Sequence, residues 1–245
     1  MIFEITSPRS FDPSTASMPK FNQDFACREL REFGLTAFTD PSPCALSAFF
    51  VRLDCKWIGN PFERGFQELI PRSRAAARPG SLSSFTGAGA QPMHTDAAYL
   101  ATPPRYIAFE CVDAGESTCK TEAWTTDQGK LLDERPRLLT DPTWVFLGGA
   151  QSRFYSPVLD VLSGIARIRF DPCCMSAACG NRTVLTDVAE LLTGYTQQVS
   201  FKWAAGAFLV IDNWRCMHAR GEGGECAPSR RLRRWYLGVQ NGLGV

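Results

Sequence analysis

Histidine is nearly absent from this chain: His94 and His218 are the only two in 245 residues. A site built on three imidazoles is excluded, so a metal centre here must also draw on carboxylates or thiols. Net charge is equally small, +1 from 26 basic and 25 acidic residues, which argues against a non-specific nucleic-acid or polyanion binder. No run of about 18 apolar residues occurs, and no membrane span is expected. Residues 1–20 are rich in Pro and Ser and lack a basic start followed by an apolar core, so a cytoplasmic location is expected. A CxxC pair is missing too. The ten cysteines include a Cys173-Cys174-x4-Cys179 cluster with no histidine near it. Free thiols are expected, rather than structural zinc or a disulfide framework.

What is present suits a packed domain. With 44% hydrophobic residues and 17 Phe the chain can bury a sizeable core. Its length fits one domain, 1–245, with 1–20 as an extended lead-in. Periodicity predicts helices over 21–33, 45–58, 128–139 and 184–192. It predicts strands over 35–38, 106–112, 118–125, 144–147, 165–170, 199–203, 207–212 and 232–239. Residues 72–90 are polar, aperiodic and rich in Ala, Gly and Ser, and read as a mobile loop leading into the first histidine. Many short strands after a helical start, without βαβ alternation, predict a mainly β sandwich or barrel with flanking helices.

His94 and Asp96 are two residues apart, so on a strand both side chains leave from one face. His218 lies 124 residues later, after the apolar stretch 207–212 and the turn Asp212-Asn213-Trp214-Arg215, at a strand's end or beginning. Taken singly, His94 reads as a satisfied surface histidine in a turn and His218 as a satisfied core one. With Asp96 they supply two imidazoles and one carboxylate. That set leaves three adjacent positions open on a metal and is associated with non-haem Fe(II) oxygenases. Further on, Arg230, Arg231, Arg233 and Arg234 alternate about Leu232 on a predicted strand. One inward guanidinium there would clamp a carboxylate bidentately while others face water.

In chain order, Gln91-Pro92-Met93-His94-Thr95-Asp96, Pro103-Pro104 with the apolar strand after it, Gly115-Glu116-Ser117-Thr118, Asp212-Asn213-Trp214-Arg215-Cys216-Met217-His218-Ala219-Arg220 and Ser229-Arg230-Arg231-Leu232 form a set. The set resembles the taurine dioxygenase and γ-butyrobetaine hydroxylase superfamily of Fe(II)/2-oxoglutarate oxygenases. The likeness runs from about 21 to 239 and is densest at 91–118 and 206–237. It implies a double-stranded β-helix (a jelly roll, cupin-like) and iron ligation by the catalytic residues His94, Asp96 and His218. It implies that Arg230, twelve residues after the distal histidine, binds the far carboxylate of 2-oxoglutarate, with Arg231 as the register-shifted alternative. Arg234 matches a position that engages substrate or the cosubstrate's near carboxylate. Thr118 matches a cosubstrate-contacting threonine, with Ser117 and Thr121 as alternatives.

The implied reaction consumes O2 and 2-oxoglutarate, releases succinate and CO2, and hydroxylates an unactivated C–H bond. The substrate would be a small molecule, amino-acid-like or a natural-product intermediate, with no nucleic-acid or membrane partner. Desaturation and cyclisation share the same chemistry, whereas Asp96 leaves no room for the chloride of halogenating relatives. Candidate substrate-side residues are Phe85, Met93, Tyr99, Arg153, Arg167 and Arg169. The rival from another class is a non-catalytic cupin-like protein that binds metal or ligand without consuming 2-oxoglutarate. The chain departs from the family pattern at 221–228, which replaces an aromatic turn. One extra residue there would shift the arginine register.

Overall fold

The apolar run Ala207–Asp212 is a strand, β12, buried along its whole length. A strand covered on both faces reads as a continuous rather than alternating apolar run. Around it lie β1 (Leu35–Thr39), β4 (Tyr106–Asp113), β14 (Arg231–Val239) and β2 (Cys55–Ile58), in the order β1-β12-β4-β14-β2. The short β3 (Gln67–Leu69) also pairs with β14, and every pairing in this sheet is antiparallel. The computed structural model describes residues 18–58, 65–116, 119–148, 152–162, 164–178, 180, 183–221 and 228–239.

The faces of this sheet divide the core. On one face Phe38, Phe208, Val210 and Leu237 pack against Phe49 and Phe50 of helix α2 (Pro43–Arg52) and Ala26 and Leu30 of helix α1 (Gln23–Phe33). On the other face Ile107, Phe109, Leu209, Ile211 and Tyr236 meet Ala123, Phe201 and Cys216. Those three come from a second antiparallel sheet, in which β5 (Thr121–Thr126) lies between β11 (Thr196–Phe201) and β13 (Cys216–Arg220). Two smaller sheets complete the β framework. One joins β10 (Met175–Ala177), β6 (Trp144–Leu147) and β7 (Arg153–Ser156), and the other β8 (Leu159–Leu162) and β9 (Ile165–Ile168). Their core, with Trp144, Phe146 and Ile168, is closed by α4 (Gln128–Glu134), α5 (Arg137–Thr140) and α6 (Thr183–Thr193). No helix among the described residues is long and apolar enough to cross a membrane.

Several elements differ from expectation for local reasons. The helix expected over 45–58 ends at Arg52, because Asp54 takes the left-handed conformation (φ 53°), and the chain continues as β2 along β14. The helix expected over 128–139 breaks into α4 and α5, with Arg135 left-handed and Pro136 following it. The aperiodic stretch 72–90 holds a 3-10 turn, Arg74–Ala76, and the short helix α3 (Leu82–Thr86), both too short to show a period. His218 lies in the middle of β13 and not at a strand end. The strand expected at 118–125 is β5, beginning at Thr121, and Ser117 and Thr118 lie outside the described residues. Cys27, Cys44, Cys55, Cys111, Cys173, Cys174 and Cys216 are free thiols, but Cys119 is disulfide-bonded, which corrects the expectation that all are free.

Gly34 ends α1 in the left-handed region (φ 76°), and its N–H bonds to the Leu30 carbonyl. A Cβ there would meet Cys216 Sγ at 2.6 Å, whereas Gly164, also left-handed (φ 77°), has open space around it. Gly164→Ala should therefore lose about 1 kcal/mol from backbone strain alone. Gly34→Ala should lose about 2–4 kcal/mol, because overpacking adds to that strain. Urea denaturation of the two variants beside the wild type checks the difference.

Candidate metal centre and active site

The two histidines are joined through their backbones. His94 N–H donates to the His218 carbonyl at 3.0 Å, and His218 N–H donates to the His94 carbonyl at 2.8 Å, an isolated antiparallel bridge. Directly opposed residues of this kind carry neighbouring side chains, and the two imidazole centroids lie 4.6 Å apart. On β13, Cys216 and Met217 belong to different cores, so side chains alternate and His218 faces the main sheet, 5.6 Å from the Phe109 ring.

Asp96 is placed by other means than a strand. Its backbone N–H donates to Asn213 Oδ1 at 2.8 Å, and Asn213 Nδ2 donates back to the Asp96 carbonyl at 3.0 Å. The same Nδ2 reaches the Pro104 carbonyl at 3.0 Å, and Trp214 Nε1 donates to the Pro103 carbonyl at 3.2 Å. The Asp212–Arg215 turn thus grips both ends of the segment that follows Asp96. The intervening Thr95 exchanges bonds with Phe170: its N–H donates to the Phe170 carbonyl at 2.7 Å, and its Oγ1 accepts from Phe170 N–H at 3.0 Å.

The result is one cluster. A ligand atom from each of His94, Asp96 and His218 lies within 4.8 Å of the other two, and all three residues are buried. Nε2 of His94 and of His218 each sit 3.7 Å from an Asp96 oxygen. His94 Nδ1 lies 2.9 Å from the Pro92 carbonyl and donates to it as the N–H tautomer, leaving Nε2 to bind a cation. Burial and then the neighbouring His94 hold His218 in its neutral form, pushing its pKa down to about 3. Burial opposes ionisation of Asp96, but the Arg234 guanidinium and the two imidazoles outweigh it and keep the carboxyl well below the usual range. A neutral imidazole and an ionised carboxylate are the metal-binding forms. The donor set therefore fits a divalent transition metal such as Fe(II).

The predicted arginines separate cleanly. The register of β14 against β4 shifts between Arg231 and Leu232, where Val112 of β4 is left unpaired. Arg231 is exposed, whereas Arg230 is buried, with Nη1 3.1 Å from Cys119 Sγ. Arg234 Nη1 donates to both Asp96 oxygens, at 2.8 and 2.7 Å, and Nη2 donates to Gln67 Oε1. Arg233 pairs with Glu110 on the outer face.

The substrate-side candidates scatter. Met93 and Tyr99 are half-buried beside the cluster, packed against different cores. Phe85 and Arg153 are exposed. Arg167 is bonded to Asp160 across the β8–β9 pair, and Arg169 donates, among the described residues, to backbone carbonyls. Asp171 was not singled out from sequence. It is buried next to Phe170 and acts electrostatically on His94, and the pairing of Thr95 with Phe170 helps to bring it there.

No protein-family model and no curated protein matches this sequence. Solved structures do match. An asparagine oxygenase in complex with Fe(II), (2S,3S)-3-hydroxyasparagine and succinate aligns with TM-score 0.65 and 13% identity, over 89% of this chain and 79% of that one. The non-haem iron oxygenase OrfP with Fe and α-ketoglutaric acid aligns with TM-score 0.63 and 16% identity, over 89% and 79%. PvcB, an Fe, α-ketoglutarate-dependent oxygenase from an isonitrile synthetic pathway, aligns with TM-score 0.60 and 19% identity, over 90% and 83%. The chain shares their fold.

Asp212, at the head of the gripping turn, is buried with Arg105 at 3.5 Å, and burial raises its carboxyl to about 6. A folded-state value above the unfolded one means that the folded protein binds more protons between about pH 4 and 6, so stability falls as pH rises through that window. Asp212→Asn removes this dependence. The stability of wild type relative to the variant should drop by up to about 3 kcal/mol from pH 4 to pH 6. Urea midpoints at each pH measure it.

Proposed function

We propose that the chain is an Fe(II)- and 2-oxoglutarate-dependent oxygenase on a double-stranded β-helix, hydroxylating a C–H bond of a small amino-acid-like molecule. The observation that carries this reading is the buried His94–Asp96–His218 cluster on a fold shared with oxygenases of that class. Iron bound there, with 2-oxoglutarate and O2, supplies an oxidant strong enough for an unactivated carbon, leaving succinate and CO2.

The chain's own residues do the rest. His94 and His218 present Nε2 on one side of the site, and Asp96 offsets the metal's charge. Arg230, just before β14, and Arg234, within it, stand four residues apart, roughly 13 Å along an extended chain. Long side chains at that spacing suit a five-carbon diacid, with Arg230 taking the far carboxylate bidentately. Arg234, already on Asp96, stands where an anionic group of substrate or cosubstrate would arrive. Asp171 offers the opposite charge for an amino group, as an α-amino acid would require. Relatives in fold have been captured with 3-hydroxyasparagine and with (3S)-hydroxy-L-Arg, which favours this substrate class. Tyr99 and Met93 form apolar wall, and the burial of the cluster limits water at the reacting carbon.

Anaerobic Fe(II) followed by 2-oxoglutarate should give a weak visible charge-transfer band that His218→Ala abolishes. Arg230→Ala removes a buried guanidinium and should weaken 2-oxoglutarate binding about 30-fold or more. Arg231→Ala, at an exposed position, should change it by less than about threefold. Well-folded, iron-loaded protein without the band would favour the non-catalytic binding protein instead.

A further inference from the structure

Two arginines near the cluster make no ion pair among the described residues. Arg169 is buried (3% exposed) just after β9. Its Nη1 donates to the carbonyls of Ala98, at 2.7 Å, and Leu100, and its Nη2 donates to Ala101 at 2.8 Å. The guanidinium also lies over the rings of Phe146 and Phe154, 5.3 and 5.0 Å from their centroids. Arg220 leaves the same face of β13 as His218, two residues on. Its Nε donates to the Gly89 carbonyl at 2.6 Å, and its Nη2 donates to the Gly87 carbonyl at 2.6 Å and to Thr86 Oγ1 at 3.3 Å. Burying a cation without a carboxylate is unfavourable unless its donors are used, and here three contacts use each one.

The six contacts fall on the two flanks of one segment. Arg220 holds residues 86–89, Arg169 holds 98–101, which includes Tyr99, and between the two flanks lie His94 and Asp96. Directly after Asp96, Ala97 has φ 55°, a conformation an L-residue keeps only where its surroundings over-determine it. A lysine could not replace either group, because three divergent acceptors need the planar fork of a guanidinium.

We infer that Arg169 and Arg220 are positioning residues that tether the two flanks of segment 86–101 and so hold His94 and Asp96 in ligating geometry opposite His218. The inference rests on the reading of those three residues as metal ligands. Its test uses Co(II), whose d–d absorption reports geometry at the site, and amide hydrogen exchange of the metal-free protein. Arg169→Met and Arg220→Met should each weaken Co(II) binding by about tenfold or more, and should speed exchange in 86–101 while leaving β12 and β4 protected. Arg169→Lys keeps the charge and the aliphatic stem, so it remains folded even if Arg169→Met does not, and it should fail to restore wild-type affinity. Phe49→Leu, in the core on the far side of the main sheet, is the control for general destabilisation and should bind Co(II) as wild type does. Wild-type affinity in Arg169→Lys and Arg220→Met, or an equal loss in Phe49→Leu, would overturn the inference and leave the oxygenase reading intact. Loss in the arginine variants, with no Fe(II)–2-oxoglutarate band in wild type, would overturn the oxygenase reading and leave the tethers standing. Absence of Co(II) binding to wild type would overturn both.

Discussion

Everything at the candidate site depends on two hydrogen bonds between the backbones of His94 and His218. They make residues that are distant in sequence into one antiparallel pair, and a directly opposed pair cannot avoid placing its side chains together. The imidazoles thus owe their closeness to main-chain geometry, not to any attraction between the rings. Asp96 needs separate support because His94 belongs to a single bridge and not to a strand, so no ladder carries its geometry forward. Asn213 supplies that support with its amide, which binds the Asp96 peptide at both N–H and C=O. The Asp212–Arg215 turn therefore serves the His94–Asp96 segment while also leading into the one that carries His218.

Charge at the site follows the same logic of enclosure. Burial would neutralise Asp96, and Arg234 opposes that by donating to both carboxylate oxygens. Burial also keeps His218 neutral. The fold thereby presents an anionic carboxylate and a neutral imidazole side by side, a combination that free side chains in water would reach only over part of the pH range. Alternation along the chain decides which arginines take part: Arg231 is turned to solvent while Arg230 and Arg234 leave from the other face.

Residue type and spacing made the members of the His94–Asp96–His218 cluster readable in the sequence, because histidine is scarce and both copies fall in distinctive contexts. The main-sheet strands were readable where burial writes a long apolar run, as in β12, or an aromatic and β-branched one, as in β4. Elements of three or four residues, such as β3, β7 and β10, carry too few side chains to establish a period. The boundary between α2 and β2 was hidden for another reason: Asp54 adopts a left-handed conformation that its side chain does not announce. The roles of Asn213, Arg169 and Asp171 lay beyond any local signal. Each acts on a segment about 70 or more residues away, so only the assembled fold reveals the partner.

β13 has one further consequence. Cys216 packs into the core between the two larger sheets, and Met217, the next residue, packs into the core of the smaller ones. One strand is therefore a party wall, and neither room can be emptied while the other stays furnished. His218, on such a wall, inherits the cooperativity of both cores. Fluctuations that would swing His218 out of place must breach two packed interiors together, so the site's rigidity belongs to the whole β framework and not to the loop beside it.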